Sequence, residues 1–344
     1  MSPLVVVAAA LIACVTALVT TPYVRKLALN VGMLDATGER RMHDQPKPRI
    51  GGIAVYLGFA FALFSAIGYL IKTGYFAAPV HLPENLAILH DVIGLIFGGT
   101  LILMVGIWDD VMGMSPRAKL GAQCVVAAMS MLYGFVIPEF ITNPLHPHGP
   151  PLYIHTWLSV VLTMVWYVGM MNAINFIDGL DGLLSGLTVI SALSLIVIDF
   201  NRGHAEIALV LAALAGGALG FLRYNWNPAK IILGDSGALF IGYVFATVSI
   251  IGVSKTAFAI SLLVPLVVLA LPVLDTVVTI VRRTTAGKKF YEADRGHFHH
   301  QLIFRFGLNV RQAVLLIYFV CVVLGVIALV LTGGVGSLKL ALNP

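Results

Sequence analysis

Residues 175–182 read N-F-I-D-G-L-D-G, and they lie between two strongly apolar stretches, 156–174 and 183–200. A charged side chain beside or inside a bilayer is costly and usually functional. Two carboxylates, Asp178 and Asp181, with an amide at Asn175 and glycines that bend the backbone, are poorly explained by packing. The rest of the chain is read by whether its other carboxylates gather on the same side of a membrane.

Composition requires the membrane. Of 344 residues, 59% are hydrophobic and 11% charged, with a mean hydropathy of +0.95, whereas soluble proteins carry about 25% charged residues. Apolar runs of about 17–25 residues suit helices rather than barrel strands. The expected fold is all-α: one polytopic transmembrane domain over residues 1–344, with ten spans. These are 3–22, 51–71, 91–108, 120–138, 156–174, 183–200, 205–222, 236–254, 257–281 and 312–333, separated by polar or Gly- and Pro-rich seams. The first run lacks a basic leader and a small-x-small cleavage site, so it reads as a retained span. Cys14, Cys124 and Cys321 lie far apart in apolar runs, which suggests neither a disulfide framework nor a zinc site.

The basic residues orient the spans. Segments 23–50, 109–119, 223–235 and 282–311 hold 17 of the 21 Lys and Arg. The positive-inside rule places these segments in the cytoplasm, with both termini outside. A charge of +5 and a pI near 9.1 therefore reflect topology, not nucleic-acid binding. The acids follow the same division. Asp109-Asp110, Asp178, Asp181 and Asp235 fall on the basic side, with His297, His299 and His300.

Each motif has a chemical reading. Adjacent Asp109 and Asp110 repel, so a cation should neutralise or perturb at least one; a carboxylate here holds Mg²⁺ or takes a proton, or the pair is simply solvated. The 175–182 stretch offers oxygen ligands without the twelve-residue calcium-loop pattern, and a carboxylate in it could accept from the N–H of a nucleotide base. Gly234-Asp235-Ser236-Gly237 puts a carboxylate at a helix start, where backbone N–H groups favour it, or where it ligates a metal. Arg295 with His297, His299 and His300 suits a phosphate-rich ligand. Lys47 and Arg49, in a proline-stiffened basic segment, anchor the chain at headgroup level or grip a lipid phosphate. Asp275, seven residues before Arg282, is an intramembrane acid that either functions or pairs with a basic side chain. Acids for a divalent metal, bases for phosphates and a lipid-facing basic segment together point to phosphoryl transfer between a soluble nucleotide and a membrane lipid. The competing class is a cation-coupled carrier, although carriers place their sites near the midplane, often between inverted repeats, and no repeat is visible here.

Five motifs in order, from P-R-x-G-G at Arg49 to R-x-H-x-H-H at Arg295–His300, make the chain resemble the polyprenyl-phosphate N-acetylhexosamine-1-phosphate transferases. The resemblance covers nearly the whole chain. The last-loop form is similar to the WecA and TagO branch, whose usual donor is UDP-GlcNAc, rather than to MraY-type enzymes acting on UDP-MurNAc-pentapeptide. Ala238 stands where Ser is common. The resemblance implies transfer of a sugar-1-phosphate from a UDP-sugar to undecaprenyl phosphate, with release of UMP and a need for Mg²⁺ or Mn²⁺. It implies Asp235 and Asn175 at the metal, Asp109 and Asp110 beside it with Asp109 as base, and Asp181 at uracil. Lys119 and Arg295 would contact the diphosphate, and His297, His299 and His300 the diphosphate and sugar. It also implies a bacterial inner-membrane location, in a family where homodimers are common. Asp178 is left as a substrate-side residue without a specific job.

Overall fold

A bilayer admits only segments that satisfy their own backbone groups, and this chain does so with helices. The computed structural model describes residues 1–35, 46–75, 82–141, 152–255, 269–270, 273–275, 277–278 and 298–332. Ten helical elements are found among them: α1 (Pro3–Val31), α2 (Gly52–Lys72), α3 (Leu82–Met112), α4 (Pro116–Leu132), α5 (Thr156–Ile177), α6 (Leu183–Asn201), α7 (Ala205–Asn225), α8 (Gly234–Lys255), α9 (Phe298–Phe304) and α10 (Val310–Leu331). Two-residue antiparallel ribbons join β1 (Leu34–Asp35) to β2 (Lys47–Pro48), and β3 (Phe140–Ile141) to β4 (Leu152–Tyr153).

Eight of these helices are long and apolar enough to cross a membrane, so the chain is a multi-pass membrane protein. Over the expected span 120–138 runs α4, 17 residues long or about 25 Å at 1.5 Å per residue, which starts beside the end of α5 at Asn175 and is followed by Ile137, whose N–H donates to Thr163 Oγ1 near the start of α5 at 3.0 Å. It starts early because Ser115 caps it, accepting from the Ala118 N–H at 3.3 Å, with Pro116 in the first turn. The expected span 257–281 lies largely outside the described residues. The first span does not stop at 22. Helix α1 passes through Pro22 and ends at Gly32, whose φ of 75° closes it.

Small residues set the packing. Helices α1 and α7 cross so closely that a Cβ on Gly216 would stand 2.1 Å from the Ala10 carbonyl oxygen, the kind of contact that drives association where no hydrophobic effect operates between helices. Helix α8 lies against α3, α5 and α2. Its apolar window is 94% buried, against 28% for α10, so α8 is the axis of the bundle and α10 faces lipid with Leu315, Phe319 and Val326. The two tyrosine hydroxyls inside this core are paired. Tyr243 OH meets Ser130 Oγ at 3.0 Å, and Tyr167 OH meets Thr247 Oγ1 at 3.0 Å, as burial requires.

The first turn of α8 is therefore a fixed point, and the functional residues collect around it.

Candidate active site

Three helix ends meet there. Asp109 and Asp110 occupy the last turn of α3, Lys119 the first turns of α4, and Asn175 the last turn of α5. Asn175 is thus helical and not, as its sequence context suggests, a loop residue; the loop proper is 178–182, with Asp178 at the C-cap of α5. The Lys119 ammonium is the centre. It lies 2.9 Å from Asp109 Oδ2 and 3.0 Å from Asp235 Oδ2, and donates to Asn175 Oδ1 at 3.3 Å. Asn175 Nδ2 in turn donates to Asp235 Oδ1 at 2.6 Å, and the Met114 N–H donates to Asp109 Oδ1 at 2.6 Å.

The two adjacent aspartates have parted roles. Asp109 faces the cluster, while Asp110 is buried and accepts from the backbone N–H groups of Asp235 at 2.9 Å and Ser236 at 3.0 Å. Asp110 thereby caps α8 from another helix. Gly234 makes this possible: its φ is 77°, and a Cβ on it would stand 2.5 Å from Asp110 Oδ2. Arg49 Nε approaches the same carboxylate at 3.4 Å.

Arg49 arrives on the P-R-x-G-G strap. Gly51 and Gly52 N–H groups donate to the Ile232 and Leu233 carbonyls at 3.1 and 2.8 Å, and the Ile232 N–H donates to Pro48 O at 3.0 Å. A Cβ on Gly52 would meet the Gly237 nitrogen at 2.1 Å, so the strap can lie against α8 only as glycine. Ile50 pays for this course with a φ of 70°, unusual for a β-branched residue, and is held by burial at 1% exposure.

A second centre surrounds Asp181. Its Oδ2 accepts from Lys47 Nζ at 2.8 Å, Asn227 Nδ2 at 3.0 Å and the Ala229 N–H at 2.9 Å. Lys47 and Arg49, read in sequence as a headgroup-level anchor or a grip on lipid phosphate, lie against the carboxylates of Asp181 and Asp110. Asn225, which the sequence reading passed over, ties this loop together: it accepts from the Gly182 N–H at 3.2 Å and Ser185 Oγ at 2.8 Å, and donates to Ile231 O at 3.1 Å. An Asn closing a span beside Asn227-Pro228 was the available signal. Asp178 lies between the two centres. Its carboxyl is pushed up to about 8, first by burial and then by the negative charge of Asp235 and Asp110, with Arg49 pulling the other way.

Arg295 and His297 lie outside the described residues. His299 and His300 fall in α9, of which the backbone is described, and Asp275 is half-buried in a helical stretch.

Among the described residues no group of three Asp, Glu, His or Cys stands ready to hold a metal ion. The donor set still fits one. Asp109, Asp110 and Asp235 are opposed there by Lys119 and Arg49, a surplus of negative charge that a divalent cation complements. Mg²⁺ characteristically takes one or two carboxylates and completes its shell with water and substrate phosphates, not with a full protein cage.

Residues 92–253 match the family model described as glycosyl transferase family 4, a stretch that contains all of the clustered residues except Arg49 and Lys47. A probable undecaprenyl-phosphate N-acetylglucosaminyl 1-phosphate transferase of Bacillus subtilis is 32% identical over 326 residues, covering 95% of this chain and 85% of the relative. A decaprenyl-phosphate N-acetylglucosaminephosphotransferase of Mycolicibacterium smegmatis is 34% identical, covering 90% and 78%. The undecaprenyl-phosphate alpha-N-acetylglucosaminyl 1-phosphate transferase of Escherichia coli K12 is 27% identical, covering 86% and 75%. The chain belongs to glycosyl transferase family 4, which sets aside the carrier as the competing class.

Proposed function

We propose that this member of glycosyl transferase family 4 moves GlcNAc-1-phosphate from UDP-GlcNAc to undecaprenyl phosphate, forming undecaprenyl-diphosphate-GlcNAc and releasing UMP. The observation that carries the reading is the convergence of Asp109, Asn175 and Asp235 on the Lys119 ammonium. The names of its relatives support the donor and the class of acceptor.

The reaction is an in-line displacement. An oxygen of the lipid phosphate bonds to the β-phosphorus of the donor while the bond from that phosphorus to the UMP oxygen breaks, and the electron pair leaves with UMP. Lys119 and Arg295 take up the charge that develops on the diphosphate. Asp110 acts at one remove, by holding the first turn of α8 so that Asp235 points at Lys119. Asp109 takes the remaining proton of the lipid phosphate. That task is small, because the second pKa of a phosphate monoester is about 6. Asp181, seated by Lys47 and Asn227, meets uracil, and His297, His299 and His300 meet the diphosphate and sugar. Asp235 and Asn175 would hold Mg²⁺, or Mn²⁺ in its place, and the ion would supply Lewis-acid stabilisation of the diphosphate charge. The segregation of basic residues supports a cytoplasmic active site in a bacterial inner membrane, with both termini outside.

The test is a donor panel with purified protein, undecaprenyl phosphate and Mg²⁺, scored for lipid product and UMP. UDP-GlcNAc is expected to give both. Product from UDP-MurNAc-pentapeptide alone would reassign the donor, and no UMP from any UDP-sugar would end the reading.

A further inference from the structure

On the far side of the 226–230 segment from Asp181 lies a cavity of about 580 Å³. Its walls include Arg223, Lys230 and Arg311, the aromatic rings of Tyr224 and Trp226, and the apolar side chains of Leu219 and Leu222. No acid lines it. Arg311 donates from Nε to Asn227 O at 3.0 Å, and Arg25 donates from Nε to Lys230 O at 3.1 Å, so basic side chains approach this segment from α10 and α1 as well as α7. The Arg223 and Lys230 side chains are exposed, and neither has an ion pair or a side-chain hydrogen bond among the described residues.

The position is as informative as the charge. The cavity lies where the α7 span ends and the α10 span begins, at the level of lipid headgroups. Leu219 is 49% exposed one turn deeper, on the outside of the bundle. Cations and indole or phenol rings at that depth, above an apolar wall open to the bilayer, match a phosphate headgroup with its first acyl carbons below it. The lining is separate from the Lys119 cluster. Only Asn227 is shared with the Asp181 centre, and its amide turns to Asp181 while its carbonyl turns to Arg311.

We propose that this cavity binds the headgroup of an anionic glycerophospholipid, with the phosphate held by Arg223, Lys230 and Arg311 and the upper acyl chain laid along Leu219 and Leu222. The inference does not depend on the donor or acceptor assigned above.

The probe is phosphatidylglycerol titrated into the full-length protein in phosphatidylcholine nanodiscs, with retained lipid counted by native mass spectrometry. The wild type should retain phosphatidylglycerol in preference to phosphatidylcholine. A basic side chain near an anionic lipid surface contributes about a factor of five in affinity. Arg223→Gln and Lys230→Gln should therefore each weaken retention about fivefold, and the double variant roughly thirtyfold, with UMP release close to wild type as the control for folding. Equal retention of the two lipids, or unchanged retention in all three variants, overturns the proposal. So does displacement of phosphatidylglycerol by stoichiometric undecaprenyl phosphate, which would make the cavity an acceptor site. Displacement by millimolar inorganic phosphate overturns it too, by reducing the cavity to a bare anion site.

Discussion

The Lys119 cluster and the Asp181 centre are both built from a lysine, an asparagine and carboxylate oxygen, yet they differ in charge balance. At Asp181 one carboxylate meets one lysine, one amide and one backbone N–H. Around Lys119 two carboxylates share one ammonium, with Asp110 close behind. The first arrangement is electrically closed and suits recognition of a neutral ring by shape and hydrogen bonds. The second is short of positive charge and suits a metal-bound diphosphate. That contrast makes unequal demands on mutation.

The largest effect is expected at Asp235. Asp235→Asn keeps the size but removes a charge, and kcat for UMP release should fall at least about a thousandfold, with fold retained. A rate within tenfold of wild type at saturating Mg²⁺ would erase the distinction between the two centres. Lys119→Ala comes next. Leaving Asp109 and Asp235 facing each other without their shared cation should cost about 3 kcal/mol of stability, read as a lower melting temperature, and about a hundredfold in rate. An unaltered melting temperature would show that the ammonium is not what holds the carboxylates together. Asp181→Asn should act differently, raising KM for the nucleotide donor about tenfold while kcat changes little, since it weakens one charge-assisted contact. If kcat fell and KM did not, Asp181 would belong with the reacting phosphates. The smallest effect is expected far from both centres. Tyr243→Phe removes a hydroxyl whose partner Ser130 keeps its bond to Val126 O. It should cost about 1 kcal/mol of stability and leave UMP release unchanged.

Several features were legible without coordinates because they rest on local chemistry. Sparse charge and long apolar runs required membrane helices, and the order of the motifs anticipated which acids would assemble. The bounds of α4 were not legible, because hydropathy averaged over the helix and the turn at Gly134 hides where the helix ends. The carboxylate partners of Lys47 and Arg49 were hidden for another reason. Basic residues at headgroup level look alike in sequence whether they face lipid phosphate or a protein carboxylate.

What the sequence determined by itself is therefore the class of solvent, the helical architecture and the inventory of reactive groups, since each follows from side-chain chemistry or periodicity within one segment. Only the tertiary structure decided how the inventory is divided. Asp109 and Asp110 are neighbours with the same side chain, but successive positions on a helix point about 100° apart. One therefore meets Lys119 while the other caps α8. That division depends on Gly234 and Gly52 letting α3, α8 and the strap approach within a distance that no Cβ would allow. On the Asp110 side it is set by contacts between residues more than a hundred positions apart, which no local pattern encodes.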